Sequence, residues 1–125
     1  MNSINIIATD KAARPNGHYS QAIEANGFIF TSVQLGITNN TTDNQTISQQ
    51  LLSALNSTEQ ILLSAGSSLR KVVKLTIYLS DIANWPQIDV VVADVFGEHK
   101  PARGVIPVKE LHLGAKVAID VIAVK

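Results

Sequence analysis

The stretch Val72-Val73-Lys74-Leu75-Thr76-Ile77-Tyr78-Leu79 alternates between apolar and polar side chains over most of its length. An alternation with a period of two is typical of a β-strand that buries one of its faces. It predicts a strand over these residues whose apolar face carries Val73, Leu75, Ile77 and Leu79. This strand decides the fold, because one helical pattern precedes it and another follows it.

The segment before this strand, residues 43–65, has the pattern of an amphipathic helix. Thr42 or Asp43 can cap its start, and Gly66 fits the left-handed position beyond its end. Its apolar residues recur at intervals of three, four and seven positions, namely Ile47, Leu51, Leu55, Leu62 and Ala65.

The segment after the strand, residues 81–99, carries a second apolar stripe at helical spacing. The run Val90-Val91-Val92 favours a strand by propensity alone. However, the stripe is longer than a typical strand, and Pro86 suits the first turn of a helix. We therefore predict a helix whose stripe consists of Ile82, Trp85, Ile88, Val92, Val95 and Phe96.

Extended patterns occupy both ends of the chain. Asn26-Gly27 indicates a hairpin between two of them, because both residues tolerate a positive φ. The strands predicted in addition to the one at 72–79 are residues 4–8, 19–24, 28–34, 104–108 and 116–124.

The resulting order, β-β-β-α-β-α-β-β, predicts a single α+β domain over residues 1–125. A chain of 125 residues is too short for two independently stable cores. Each helix lies between strands, so crossover connections place both helices on one face of a mixed sheet. No third layer remains to cover the other face, and we expect a neighbouring subunit to cover it.

Charge and composition argue against several classes of function. Ten Lys and Arg balance ten Asp and Glu, and the basic cluster typical of nucleic-acid binding is missing. There is no cysteine, hence no disulfide and no thiolate nucleophile. The N-terminus does not resemble a signal peptide, and no apolar run is long enough for a membrane helix. We expect a cytoplasmic protein with no membrane partner.

Motifs for metal or cofactor binding are also missing from the sequence. His18, His99 and His112 are far apart, and none has a second ligand at metal spacing. The seven glycines form neither a phosphate-binding loop nor a dinucleotide fingerprint. We expect a protein that works without a metal or a cofactor.

One arginine has an unusual context, in Lys100-Pro101-Ala102-Arg103-Gly104. Pro101 restricts the entry into the following strand, and Gly104 lets a ligand approach the backbone beside the guanidinium. Arginine can grip a planar carboxylate through two parallel hydrogen bonds. Arg103 is therefore a candidate for carboxylate binding, and an exposed arginine at the start of a strand is the alternative.

Several motifs together resemble the RidA (YjgF/L-PSP) family. Gly17-His18-Tyr19-Ser20-Gln21-Ala22 is similar to the family's G-P/H-Y-S-Q-A pattern, and Ser32 and Gln34 are similar to its S-G-Q pattern. Residues 72–81 and the run Pro101-Ala102-Arg103 also look like family motifs. The resemblance runs in order from about residue 4 to residue 124.

The resemblance implies a chorismate-mutase-like fold of the bacillary type and a homotrimer with sites at the subunit interfaces. The implied activity is hydrolysis of reactive enamines or imines, such as 2-aminoacrylate, to 2-keto acids and ammonia. In that scheme Arg103 grips the substrate carboxylate, helped by the backbone near Val33 and Val105. Tyr19 and Ser32 line the pocket and hold the ligand or a water. An imine carbon is already electrophilic, so no cofactor is implied.

The sequence departs from the family pattern at three positions. Ala118 stands where the family commonly has a glutamate that positions the attacking water, Val33 replaces a glycine, and Val105 replaces a frequent cysteine. Asp120 follows on the same strand face, but roughly 6–7 Å away, too far to make the same contact without rearrangement. Carboxylate binding by Arg103 is therefore better supported than activation of water.

Two other functions remain as alternatives. The same trimer can be a binding module that holds 2-keto acids or related small carboxylates without turnover. The ribonuclease activity reported for the family is disfavoured by the zero net charge.

Overall fold

The computed structural model describes residues 3–37 and 45–125. The chain starts with strands β1 (Ile4–Ile7), β2 (Ala22–Ala25), β3 (Phe28–Thr31) and β4 (Gln34–Leu35). Helix α1 (Ile47–Ser64), strand β5 (Val72–Leu79), helix α2 (Trp85–Phe96) and strands β6 (Ala102–Pro107) and β7 (Val117–Val124) follow. The α+β class with two helices and a mixed sheet is confirmed within these ranges.

The strands form one sheet in the order β1-β2-β3-β7-β5-β6, and β4 pairs with β7 beside β3. β5 and β6 are parallel, and the other pairs are antiparallel. The Asn26-Gly27 turn joins β2 to β3 with positive φ angles of 53° and 80°. The hairpin predicted from these two residues is thus confirmed.

Helix α1 begins at Ile47, the first residue of its apolar pattern, and not at residue 43, where the predicted segment starts. Thr46 is its N-cap and forms a capping box with Gln49, in which each side chain accepts a hydrogen bond from the other residue's backbone N–H. The predicted caps, Thr42 and Asp43, lie outside the described residues. Gly66 follows the helix with a φ of 80°, as its position in the sequence predicted.

The second helix is also confirmed, although it is shorter than its apolar stripe. A 3-10 turn at Ile82–Asn84 leads into α2, and Gly97, with a φ of 61°, ends it. Pro86 lies in the first turn, where its missing N–H costs no helical hydrogen bond.

Side chains from both helices and from one face of the sheet form a single core. The face of β5 toward this core differs from the prediction at one position. The pairing of β5 with β7 shifts between Val72 and Lys74, and Val73 is the extra residue of this bulge. Val72 is therefore fully buried, whereas Val73 is 42% exposed. The placement of Val73 in the core was wrong, because alternation along one strand does not reveal a bulge.

The opposite face of the sheet carries large apolar side chains that are exposed in the single chain. Register places Ile6, Ile23, Phe30, Ile122 and Lys74 side by side on this open face. Ile4 and Ile6 are about 70% exposed, and Phe28 and Phe30 about 40%. Such a surface is typical of a face that meets another protein molecule.

Candidate functional site

A cavity of about 1070 Å³ lies where β3, β4 and β7 meet the loops around residues 13–19 and 110–113. It is lined by three residues that the sequence analysis predicted for the substrate pocket, Tyr19, Ser32 and Val33. Arg14, Glu110, His112 and Asp120 also line it. The cavity therefore combines apolar walls with hydroxyl, carboxylate and cationic groups, as small-molecule sites commonly do.

Tyr19 and Ser32 are held in place by their neighbours. The Ser32 hydroxyl donates to the backbone carbonyl of Ser20 at 2.6 Å, and its backbone N–H donates to Gln21 at 2.9 Å. The Tyr19 hydroxyl donates to the Asn16 side chain at 3.2 Å, and about half of the tyrosine is exposed. The predicted strand over residues 28–34 is interrupted at Ser32 and Val33, which turns both residues toward the cavity wall.

Gln21 lines the cavity and holds the adjacent loop in place. Its buried amide nitrogen donates to the backbone carbonyls of Thr9 and Ala13, and its amide oxygen accepts from the Thr9 N–H. These bonds tie the loop that carries Arg14 to the start of β2. They also explain why β2 begins at Ala22 and not at Tyr19, because the side chains of Tyr19 and Gln21 hydrogen-bond to this loop.

Sequence reasoning missed a polar pair on β5 and β7. The Tyr78 hydroxyl donates to Asp120 Oδ2 at 2.8 Å across the two strands. This hydrogen bond, then burial, then the negative charge of Asp120 raise the pKa of Tyr78 to about 12. Thr76 pairs directly with Asp120, so Tyr78, two residues further along β5, is the diagonal neighbour of Asp120. Only the strand pairing reveals this contact.

Arg103 does not line this cavity, and neither does Val105. Both lie on the edge strand β6, which is three strand spacings, about 14 Å, from β3. Arg103 pairs in register with the core residue Leu75, so its side chain faces α2. Within one protomer, Arg103 and Val105 therefore lie apart from Tyr19, Ser32 and Val33.

On α2 the guanidinium meets two side chains. Arg103 Nη1 donates to Asp89 Oδ1 at 2.7 Å, and its Cζ lies 5.3 Å from the centroid of the Trp85 ring. The arginine side chain is 24% exposed, so it is neither buried nor free in bulk solvent. Beside it, a Cβ built on Gly104 would meet nothing within 4 Å, which leaves the backbone open to a ligand.

Residues 3–37 and 45–125 hold no cluster of three His, Asp or Glu side chains close enough to bind a metal ion. Ala118, at the position of the family's glutamate, is fully buried and pairs with Leu35. Neither helix is long and apolar enough to cross a bilayer.

The fold and the cavity define a class of small α+β domains with two helices on a mixed sheet. Over residues 9–125 the chain matches the family model described as Endoribonuclease L-PSP. It therefore belongs to that family, whose members include RutC and RidA proteins.

Three similar proteins illustrate the relationship. A RutC family protein of Aquifex aeolicus is 40% identical over 122 residues, which cover 95% of this chain and 98% of that protein. The chloroplastic Reactive Intermediate Deaminase A of Arabidopsis thaliana is 35% identical over 120 residues, covering 94% of this chain and 64% of that protein. The crystal structure of E. coli TdcF with bound serine has a TM-score of 0.89 at 28% identity, covering 97% of this chain and 99% of that one.

Proposed function

We propose that this protein hydrolyses reactive enamines and imines of the 2-aminoacrylate type to 2-keto acids and ammonia. The observation that carries the proposal is the cavity that collects Tyr19, Ser32 and Val33, the residues that the family resemblance assigns to the substrate pocket. The name of the Arabidopsis relative, a reactive intermediate deaminase, supports the reaction class. The serine in the TdcF structure supports a small ligand that bears a carboxylate.

The complete site is proposed to form between protomers of a homotrimer. Arg103 faces away from the cavity of its own chain, and in the proposed site a second copy supplies the guanidinium. The open face of the sheet offers the apolar surface for such an assembly. In the trimer, Arg103 grips the substrate carboxylate bidentately, with the backbone near Val33 and Val105 as further donors. Tyr19 and Ser32 hold the ligand or a water.

A steady-state assay on freshly generated 2-aminoacrylate tests the reaction. Release of keto acid and ammonia above the rate in buffer supports the proposal, and Arg103→Ala should abolish the excess. Sedimentation at three times the 13.4 kDa mass of one chain tests the trimer. A monomer at micromolar concentration contradicts the shared site.

The second candidate is a binding module for 2-keto acids, favoured by Ala118 at the position of the usual glutamate. Pyruvate binding by calorimetry without any turnover would select it. RNA cleavage that depends on Arg103 would instead select a ribonuclease, against which the balanced charge argues. A cytoplasmic location is part of the proposal, and cell fractionation tests it.

A further inference from the structure

Asp120 combines three properties in the wall of the cavity. It lies on β7, an inner strand of the sheet, so its backbone position is rigid. Its side chain lines the same space as Tyr19 and Ser32. One oxygen, Oδ2, is engaged by the Tyr78 hydroxyl, whereas Oδ1 has no hydrogen bond from any residue that the structure describes.

The other described carboxylate that lines the cavity is Glu110. Glu110 is exposed in the loop between β6 and β7, and no residue in the described ranges donates a hydrogen bond to it. Asp120 is half-buried and is held by a neighbour on the adjacent strand. A group that must orient a water needs such fixed geometry.

We infer that Asp120 is the carboxylate that orients and deprotonates the attacking water, and that Tyr78 positions it. The inference rests on the proposed hydrolysis and names the residue that takes over the role left vacant at Ala118. The carboxylate is displaced by two residues along the same strand face, roughly 6–7 Å. The water therefore binds beside Asp120, on the wall that carries Tyr19 and Ser32, and not beside Ala118.

The step balances without any further reactant. The oxygen of water bonds to the carbon of the protonated imine, the C=N π electrons move to nitrogen, and Asp120 takes one proton from the water. Asp120 returns this proton to the nitrogen of the carbinolamine, and the C–N bond breaks as ammonia leaves with the bonding pair. The remaining hydroxyl gives its proton to the departing ammonia as the C=O bond forms, which gives the keto acid and ammonium.

Tyr78 suits the positioning role because it stays a donor. A tyrosine phenol is protonated at neutral pH, and the raised pKa of Tyr78, about 12, extends this state to higher pH, so the hydroxyl donates to the Asp120 carboxylate. It fixes Oδ2 and leaves Oδ1 for the water. Tyr78 itself does not line the cavity and is not expected to touch the substrate.

The test compares hydrolysis of 2-aminoacrylate by the wild-type protein, Asp120→Asn and Asp120→Ala. Asp120→Asn keeps the shape and the hydrogen bond from Tyr78, so pyruvate binding should stay within about threefold while kcat falls about 100-fold or more. Added formate should restore part of the activity of Asp120→Ala, because it can replace the missing carboxylate. The matched control, Asp94→Asn on the exposed side of α2, should retain full activity.

The outcomes separate the two proposals. An active wild-type protein whose Asp120→Asn variant is folded and equally active overturns the role of Asp120 and leaves the proposed function standing. A wild-type protein without turnover overturns both. If Asp120→Asn fails to fold, Tyr78→Phe decides the question: a fall in kcat with unchanged pyruvate binding supports the positioning role, and an unchanged kcat overturns it.

Discussion

The guanidinium of Arg103 lies 2.7 Å from the carboxylate of Asp89 and 5.3 Å from the centre of the Trp85 ring. Both partners lie on α2, and Arg103 is the second residue of β6, so the contact joins the helix to the edge of the sheet. Within residues 3–37 and 45–125 the guanidinium makes one hydrogen bond, from Nη1 to Asp89, which leaves most of its five N–H donors for a ligand. The aromatic ring stabilises the cation without using any of them.

Replacing Arg103 should weaken binding of small carboxylates. Arg103→Lys keeps the charge but loses the planar pair of donors, so the affinity for pyruvate should fall about 10- to 100-fold. Isothermal titration calorimetry measures this. Arg70→Lys, an exposed arginine in the turn before β5, is the control and should bind normally. Equal affinities in all three proteins would contradict carboxylate binding by Arg103.

Removing the charge of Asp89 should have the opposite effect. The Asp89 carboxylate competes with a ligand carboxylate for the guanidinium and neutralises part of its charge. Asp89→Asn should therefore tighten pyruvate binding several-fold, with a smaller difference at high salt because screening weakens both interactions. Weaker binding by Asp89→Asn would mean that the ion pair orients Arg103 and does not compete with the ligand.

The pair Tyr78–Asp120 should contribute to stability in a defined range of pH. The pKa of Tyr78 rises from 10.0 to about 12 in the folded chain. Below pH 10 the phenol is protonated in both states, so the stabilisation is fully present; it is lost as the pH rises from about 10 to about 12.

Tyr78→Phe should thus be less stable than the wild-type protein at pH 8, by about 1 kcal/mol, and the difference should shrink toward pH 12. Urea unfolding at several pH values measures it. A difference that does not depend on pH would show that the hydrogen bond to Asp120 is not its source.

The bulge in β5 predicts unequal effects of one substitution at adjacent positions. Val72→Ala removes two buried methyl groups and should cost about 2 kcal/mol of unfolding free energy. Val73→Ala changes an exposed side chain and should cost less than about 0.5 kcal/mol. Chemical denaturation of both variants checks the prediction. A larger loss of stability for Val73→Ala than for Val72→Ala would contradict the bulge and favour the regular alternation predicted from the sequence.

A charge on the open face of the sheet should dissociate the proposed trimer. Phe30→Asp places a carboxylate among apolar side chains that another protomer would bury. Sedimentation velocity should then show monomers. The control, Leu52→Asp, changes an equally exposed residue on α1, away from that face, and should leave the assembly intact. If Phe30→Asp still forms trimers, the interface does not lie on the open face of the sheet.

Local patterns predicted most of the secondary structure. The helical spacing of Leu51, Leu55 and Leu62, and the Asn26-Gly27 turn, depend on neighbours within a few residues, and the structure contains both elements. The class of the fold followed from the order of those elements. Tyr19, Ser32 and Val33 could be grouped through the family resemblance, and they share a cavity.

Contacts between distant strands could not be predicted in this way. The sequence by itself determined which segments are helices and strands, because periodicity and turn chemistry are properties of adjacent residues. Only the tertiary structure decided that Val73 leaves the core, that Arg103 faces Asp89 and that Tyr78 meets Asp120. These three outcomes depend on strand register, which is a relation between residues up to 51 positions apart in the chain, as Val72 and Ala123 are.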